Sequence, residues 1–401
     1  MDTRNVVVDF SKRGGKMRPL NGINSGPLFG IEMGIDFTDE YKTLSVPFVR
    51  TDSVEPPHGC GRFVDIHCLF PDFNLDERFE ASYNFAPTDK YLSAIKSAGA
   101  DIFLRLGETP DPYEPRPFIK PPRDYEKYAR ICERIIAHYN EGWGRGLKLG
   151  IKYVEIMCCI DEPSGWSGSD EEYFELYRVI ATHLRQRFPR IRIGAYSSGG
   201  FFSLNNLGAS RLEHRYIDVL ERFLEYITSP DTPAPLDFFS WRASCEDAEE
   251  LSLHSNYARN YLYQYGLRRT QSIVTDFSLR SGDKPQHMER EYPAKLVAAL
   301  ITAQKSDIDM LFLSSGDPRS DRCPFFSTEC RSGKHLFGPF RALEAFGELC
   351  RLGTEVETDG EYRRELSTLA ATNGEEGAIL VATRGFSGII EIDVKGAPYT
   401  A

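Results

Sequence analysis

Apolar positions along this chain fall into two rhythms. Short runs rich in β-branched and aromatic residues read as strands at LNGIN (20–24), VPFVRTD (46–52), ADIFLRLGE (100–108) and IKYVEIMCCIDEP (151–163). The same pattern returns at RIRIGAYSS (190–198), DFFSWRAS (237–244), SIVTDFSLR (272–280) and DMLFLSSGD (309–317). Between them lie stretches such as DKYLSAIKSAG, RDYEKYARICERIIAHYN, DEEYFELYRVIATHLRQRF and YIDVLERFLEYI. Their apolar residues recur at i, i+3, i+4 and i+7, the spacing of a helix with one buried face. Eight strands alternating with helices over roughly 300 residues predict an α/β protein whose parallel sheet closes into a (β/α)8 TIM barrel. No GxGxxG follows an early strand, so an open dinucleotide-binding sheet has no support.

The rhythm changes near the C-terminus. STLAATN, GAILVATR and GIIEIDVKG read as short antiparallel strands separated by Gly and Asn turns, with no helix between them. NVVVDFS near the start is a similar strand. These pieces are expected to meet in a small β-sandwich, formed by residues 1–14 together with 351–401, packed beside a barrel spanning residues 15–350.

Charge and cysteine usage narrow the function. A net charge of -11, with no dense Lys/Arg run, argues against a nucleic-acid partner. No stretch of about 18 apolar residues occurs, so no membrane span is expected. The opening residues contain no apolar signal segment, and the nine cysteines are scattered without a CxxC pair. Reduced thiols in the cytoplasm are the expectation.

In a barrel, chemistry gathers at the C-terminal ends of the strands. Read in order, those ends deliver Asn21 and Asn24, Arg50 and Asp52, Arg105 and Glu108, then Asp161 and Glu162. The later strands add Tyr196, Trp241 and Arg242, Thr275 and Asp276, and Asp317. Glu162 ends the fourth strand and Asp276 the seventh, on roughly opposite sides of the mouth. Two carboxylates facing across a pocket are the working pair of glycoside hydrolysis. One must carry a proton for the leaving oxygen, and the other must stay ionised. An exposed acid after a strand is the plain alternative for Glu162, and a helix N-cap is the plain alternative for Asp276. Trp166, four residues beyond Glu162, and Trp241 are candidates to stack on a sugar ring, with core filling as the alternative. The histidines show no HExxH spacing, no GxSxG elbow or P-loop is present, and adjacent Cys158 and Cys159 face opposite ways along a strand. No metal and no cofactor is expected.

The segments RPLNGINSGPL, VPFVRTDSV, FPDFN…YNFAPTDKYLSAIKSAGADIFLRLGE, KYVEIMCCIDEPSGW, DFFSWRAS and IVTDFSL resemble, in order, the motifs of glycoside hydrolase family 39. The resemblance covers most of residues 18 to 345. It implies a barrel with catalytic acids on strands four and seven, a β-sandwich built from both termini, and retaining hydrolysis of β-xylosides, iduronides or related glycans. The family's Asn-Glu-Pro is Asp161-Glu162-Pro163 here, so Glu162 matches the acid/base and Asp161 replaces the Asn that holds the sugar's 2-hydroxyl. The family's nucleophilic Glu is Asp276, the His after Ser-Trp is Arg242, and the His after Arg is Thr51.

Retaining pairs sit about 5–5.5 Å apart and inverting pairs about 6.5–9.5 Å. Shortening Glu to Asp removes about 1.5 Å of reach. Asp276 is therefore either a nucleophile or the base of an inverting reaction. The sequence leads to an intracellular glycosidase that trims small oligosaccharides or glycosides, with self-association left open. Asn24, Arg50, Asp52, Arg105, Glu108, Asp161, Tyr196, Arg242 and Asp317 are its candidate binders of hydroxyls or a uronate. The alternative is a catalytically silent carbohydrate-binding barrel.

Overall fold

The computed structural model describes residues 2–30, 33–52, 64–108, 120–163, 165–280, 285, 288–314, 316–318, 323–330, 333–360, 362 and 364–397. Part of the VPFVRTDSV motif, from Ser53 onward, lies outside them. All eight expected barrel strands form: Gly22–Asn24, Phe48–Arg50, Asp101–Leu106, Tyr153–Ile156, Arg192–Ser198, Phe238–Cys245, Gln271–Leu279 and Met310–Leu313. They pair in parallel, in chain order, and the eighth closes on the first. A plug of Phe103, Phe238, Ile273, Met310 and Phe312 fills one end of the lumen, with Phe48 and Tyr153 packed against it.

The four helical patterns correspond to Ala86–Ser97, Tyr125–Asn140, Asp170–Arg187 and Arg211–Thr228. Capping boxes fix two of their starts: the Ser169 and Ser210 side chains accept from the amides of Glu172 and Glu213, whose carboxylates return the bond. Ala248–Gln264, Tyr292–Gln304 and Gly338–Leu352 follow strands six, seven and eight. Among the described residues no helix is long and apolar enough to cross a membrane.

The strands of the two termini also meet. Asp2–Lys16, Thr354–Asp359, Leu366–Thr372, Gly377–Thr383 and Gly388–Lys395 form one five-stranded sheet against the helices Tyr292–Gln304 and Gly338–Leu352. Three of its pairings are antiparallel, but the last strand runs parallel to the first, Asp2 facing Gly388 and Asp9 facing Lys395. Gly377–Thr383 and Gly388–Lys395 lie at opposite edges of the sheet. Their link from Thr383 to Gly388 spans at most about 18 Å. Four strand spacings in a flat sheet need about 19 Å. The sheet therefore rolls, and Val6, Val8, Phe10, Val356, Leu366 and Ala370 form a second small core on its inner face. Rolling gives one sheet the enclosed interior that a sandwich makes from two.

Candidate active site

The fourth strand sets the site's foundation. Tyr153 contacts the lumen plug, so period-2 alternation also points Glu155 inward. Glu155 is fully buried and accepts from Arg50 Nε at 2.9 Å and from its terminal nitrogen at 2.6 Å. Arg50, buried on the second strand, also donates to Asp52 at 2.8 Å and to Asn24 Oδ1 at 3.2 Å. Arg105 Nε lies 3.2 Å from Asp52, and its far end pairs with Asp65. Glu155 was not among the sequence candidates. Its signal was present: an acid at an inward position of an apolar strand, with Arg50 at the same level of the second.

The carboxylate pair stands above this network. Glu162, partly buried, accepts from Arg242 at 2.5 Å. Asp276 is the strand partner of Arg242, and it reaches the mouth because the ladder slips by one residue at Thr275. Ile273 pairs with Ser240 and faces the plug. Two residues, Val274 and Thr275, then stand opposite Trp241, and Asp276 emerges on the inner face beside Arg242. Burial pushes the Asp276 carboxyl up. Arg242 opposes that shift, Asp52 adds to it, Arg50 opposes it and Glu162 adds to it. The structure thus brings the acids of strands four and seven into one electrostatic environment around a single guanidinium.

Several candidates are turned to other tasks. Asp161 does not face the mouth: it accepts from the Ser198 hydroxyl at 2.9 Å and from the Gly199 amide at 2.8 Å. Burial raises its carboxyl to about 6. Gly199 is required there, because a Cβ would lie 2.3 Å from the Tyr216 ring. Asn24 donates to the Thr275 carbonyl at 2.7 Å, bracing the slipped segment. Glu108 is engaged with His67, whose Nδ1 is 2.5 Å away. Asp317, partly buried after strand eight, lies near Tyr41, Tyr91 and Cys323.

Three aromatic assignments are corrected. Gly194 faces the Phe238 ring inside the barrel, so simple alternation would also point Tyr196 inward. A register shift between Ala195 and Ser198 turns it to the helix side, against Tyr173, Phe223 and Phe239. Trp241 is fully buried, edge-on to Phe201, with its indole N–H donating to Ser272 at 3.0 Å. Trp166 packs against Tyr173 and donates to the Ser169 carbonyl at 2.8 Å. Both tryptophans fill the core and offer no open face to a sugar.

No family model matches the chain. An α-1,4-L-rhamnosidase of Formosa agariphila is 29% identical over 77 residues, 19% of this chain and 16% of that protein. The stretches that match the curated relatives span less than a third of those relatives' lengths. Whole-chain likeness comes from solved structures. A glucosidase of Croceicoccus marinus superposes with a TM-score of 0.78 at 22% identity, covering 96% of this chain and 79% of that one. A family 39 β-xylosidase of Caulobacter crescentus does so with a TM-score of 0.69 at 15% identity, covering 99% and 84%. These likenesses establish the fold: a glycosidase-type barrel carrying a sheet made from both termini, similar to family 39 as the sequence motifs indicated.

Proposed function

We propose that the protein is a glycoside hydrolase acting on small oligosaccharides or glycosides, divergent from family 39. Glu162 is its general acid, and Asp276 its nucleophile or general base. One observation carries the reading: Glu162 and Asp276, from strands four and seven, both act on Arg242, the first through an ion pair and the second as its strand partner. Glu162 protonates the leaving glycosidic oxygen, and Arg242 stabilises the carboxylate that remains. The desolvated Asp276 carboxylate meets the positive charge that develops at the anomeric carbon, either by bonding to it or through an activated water.

The charge pattern favours a neutral sugar over a uronate. Arg50 is held by Glu155 and Asp52, Arg105 by Asp52 and Asp65, and Arg242 by Glu162. Each arginine that the sequence offered to an acidic sugar is answered by the protein's own acids. The buried free thiols Cys132, Cys158, Cys245 and Cys323 fit a reducing compartment such as the cytoplasm.

A panel of neutral aryl glycosides and aryl uronides tests the reading. Glu162→Gln and Asp276→Asn should each lower kcat/KM on the best neutral substrate by at least about 1,000-fold with the melting temperature unchanged. Proton NMR of the first-formed anomer then separates retention from inversion. Glycan binding with no turnover by the wild-type protein across the panel would replace the enzyme by a carbohydrate-binding barrel.

A further inference from the structure

Beside the mouth, outside the carboxylate pair, stands a second cluster. Asp65 precedes the short helix Ile66–Leu69, His67 lies within it, and Glu108 follows the third strand. One ligand atom of each lies within 4.8 Å of the other two. Glu108 is fixed by three donors: the His67 ring at 2.5 Å, the His67 amide at 3.1 Å and the Tyr128 hydroxyl at 3.4 Å. Arg105 holds one oxygen of Asp65 and orients that carboxylate. Asp65 is buried and Glu108 nearly so, whereas the His67 side chain is 48% exposed, which leaves a route in from solvent.

A charge count points the same way. The connected network contains four carboxylates, Asp52, Asp65, Glu108 and Glu155, against two guanidiniums, Arg50 and Arg105. With a neutral imidazole, two negative charges remain uncompensated among the described residues. Buried charge is costly until it is paired. A divalent cation supplies the missing charge in one step, and the place where three ligand atoms converge is the Asp65–His67–Glu108 corner.

We propose that Asp65, His67 and Glu108 form a binding site for a divalent transition metal of the zinc class. One imidazole nitrogen and two carboxylate oxygens are a donor set that zinc accepts. Zinc bonds of about 2.0–2.2 Å place neighbouring ligand atoms about 3.3–3.5 Å apart, so the His67–Glu108 contact opens by about 1 Å and the remaining gaps close by a little more. His67 then turns its Nδ1 from the carboxylate to the metal. The tyrosine and Arg105 partners already present act as the outer shell that holds the carboxylate ligands. The ion ties the residues after strand two to the end of strand three, beside Arg105 and Asp52.

Calorimetric titration of chelator-treated full-length protein with Zn²⁺ tests this, with metal content measured after desalting. One site per chain is expected. His67→Ala and Glu108→Gln should each weaken it about 100-fold or more, while Glu162→Gln binds as the wild type does. His67 is half exposed, and circular dichroism confirms that its variant is folded. Absence of zinc uptake by the folded wild-type protein overturns the site, as does equal uptake by the wild type and both cluster variants. Because Glu162→Gln leaves the cluster intact, failure of the metal site and failure of the glycosidase reading are separate results.

Discussion

Arg242 and Asp276 face each other across the sixth and seventh barrel strands, one residue out of simple register. The slip at Thr275 puts a carboxylate beside the guanidinium that grips Glu162 at 2.5 Å. Without it, the inward position would fall on Thr275, and Asp276 would point into the helix layer. A single extra residue in one strand therefore brings the two acids to one cation.

Arg242 governs the ionisation of both acids. Burial raises Asp276, and Arg242 is the strongest influence opposing that rise. Its removal raises Asp276 further, so Arg242→Met should move the acidic limb of the kcat/KM profile to higher pH and lower the plateau about 10- to 100-fold. A pH–rate series on an aryl glycoside from pH 4 to 9 reads both effects; an unmoved limb would disconnect Arg242 from Asp276.

Asp161 makes stability depend on pH in an unusual direction for an acid. Its folded value, about 6, lies above the ordinary 3.8 because burial disfavours the charged form. Between those values the unfolded chain ionises while the folded one stays protonated, so the residue destabilises progressively as pH rises towards 6. The full effect, about 3 kcal/mol, is present above pH 6 and absent below about pH 3.8. Asp161→Asn keeps the oxygen that accepts from Ser198 and Gly199 and removes the titration. Urea denaturation should show its stability gain over wild type growing from pH 4 to pH 7.5.

The buried ion pair of Arg50 and Glu155 answers to the same physics. Arg50→Met leaves the carboxylates of Glu155 and Asp52 without their main cation and should cost about 3–5 kcal/mol in chemical denaturation at pH 7. Adding Glu155→Leu should recover part of that loss, because two well-packed apolar side chains replace a charge left alone. Asp52 keeps Arg105 as a partner, which limits what the double variant must still accommodate.

Trp241 distinguishes core from sugar platform. Trp241→Phe loses the indole bond to Ser272 and should cost about 1 kcal/mol while KM for a glycoside changes less than twofold. Trp241→Ala should cost about 3–5 kcal/mol through the cavity it leaves. A large KM increase with unchanged stability would restore the stacking role.

Local pattern alone determined much of this protein. Apolar period located all eight barrel strands, four of the helices and the strands of both termini, because burial of one face imposes its rhythm on any sequence that forms that element. Strand ends likewise indicated the residues at the mouth, among them Glu162, Asp276 and Arg242. What the sequence left undecided were the directions in which side chains point and the partners they find. Tyr196 and Asp276 are turned by one-residue irregularities in their ladders, and such a slip belongs to a pair of strands, not to one. Arg50 meets Glu155 across 105 residues of chain, and Asp161 meets Ser198 across 37. Those contacts follow from closure of the barrel, which brings remote strands to one lumen, and no window of neighbouring residues contains that information.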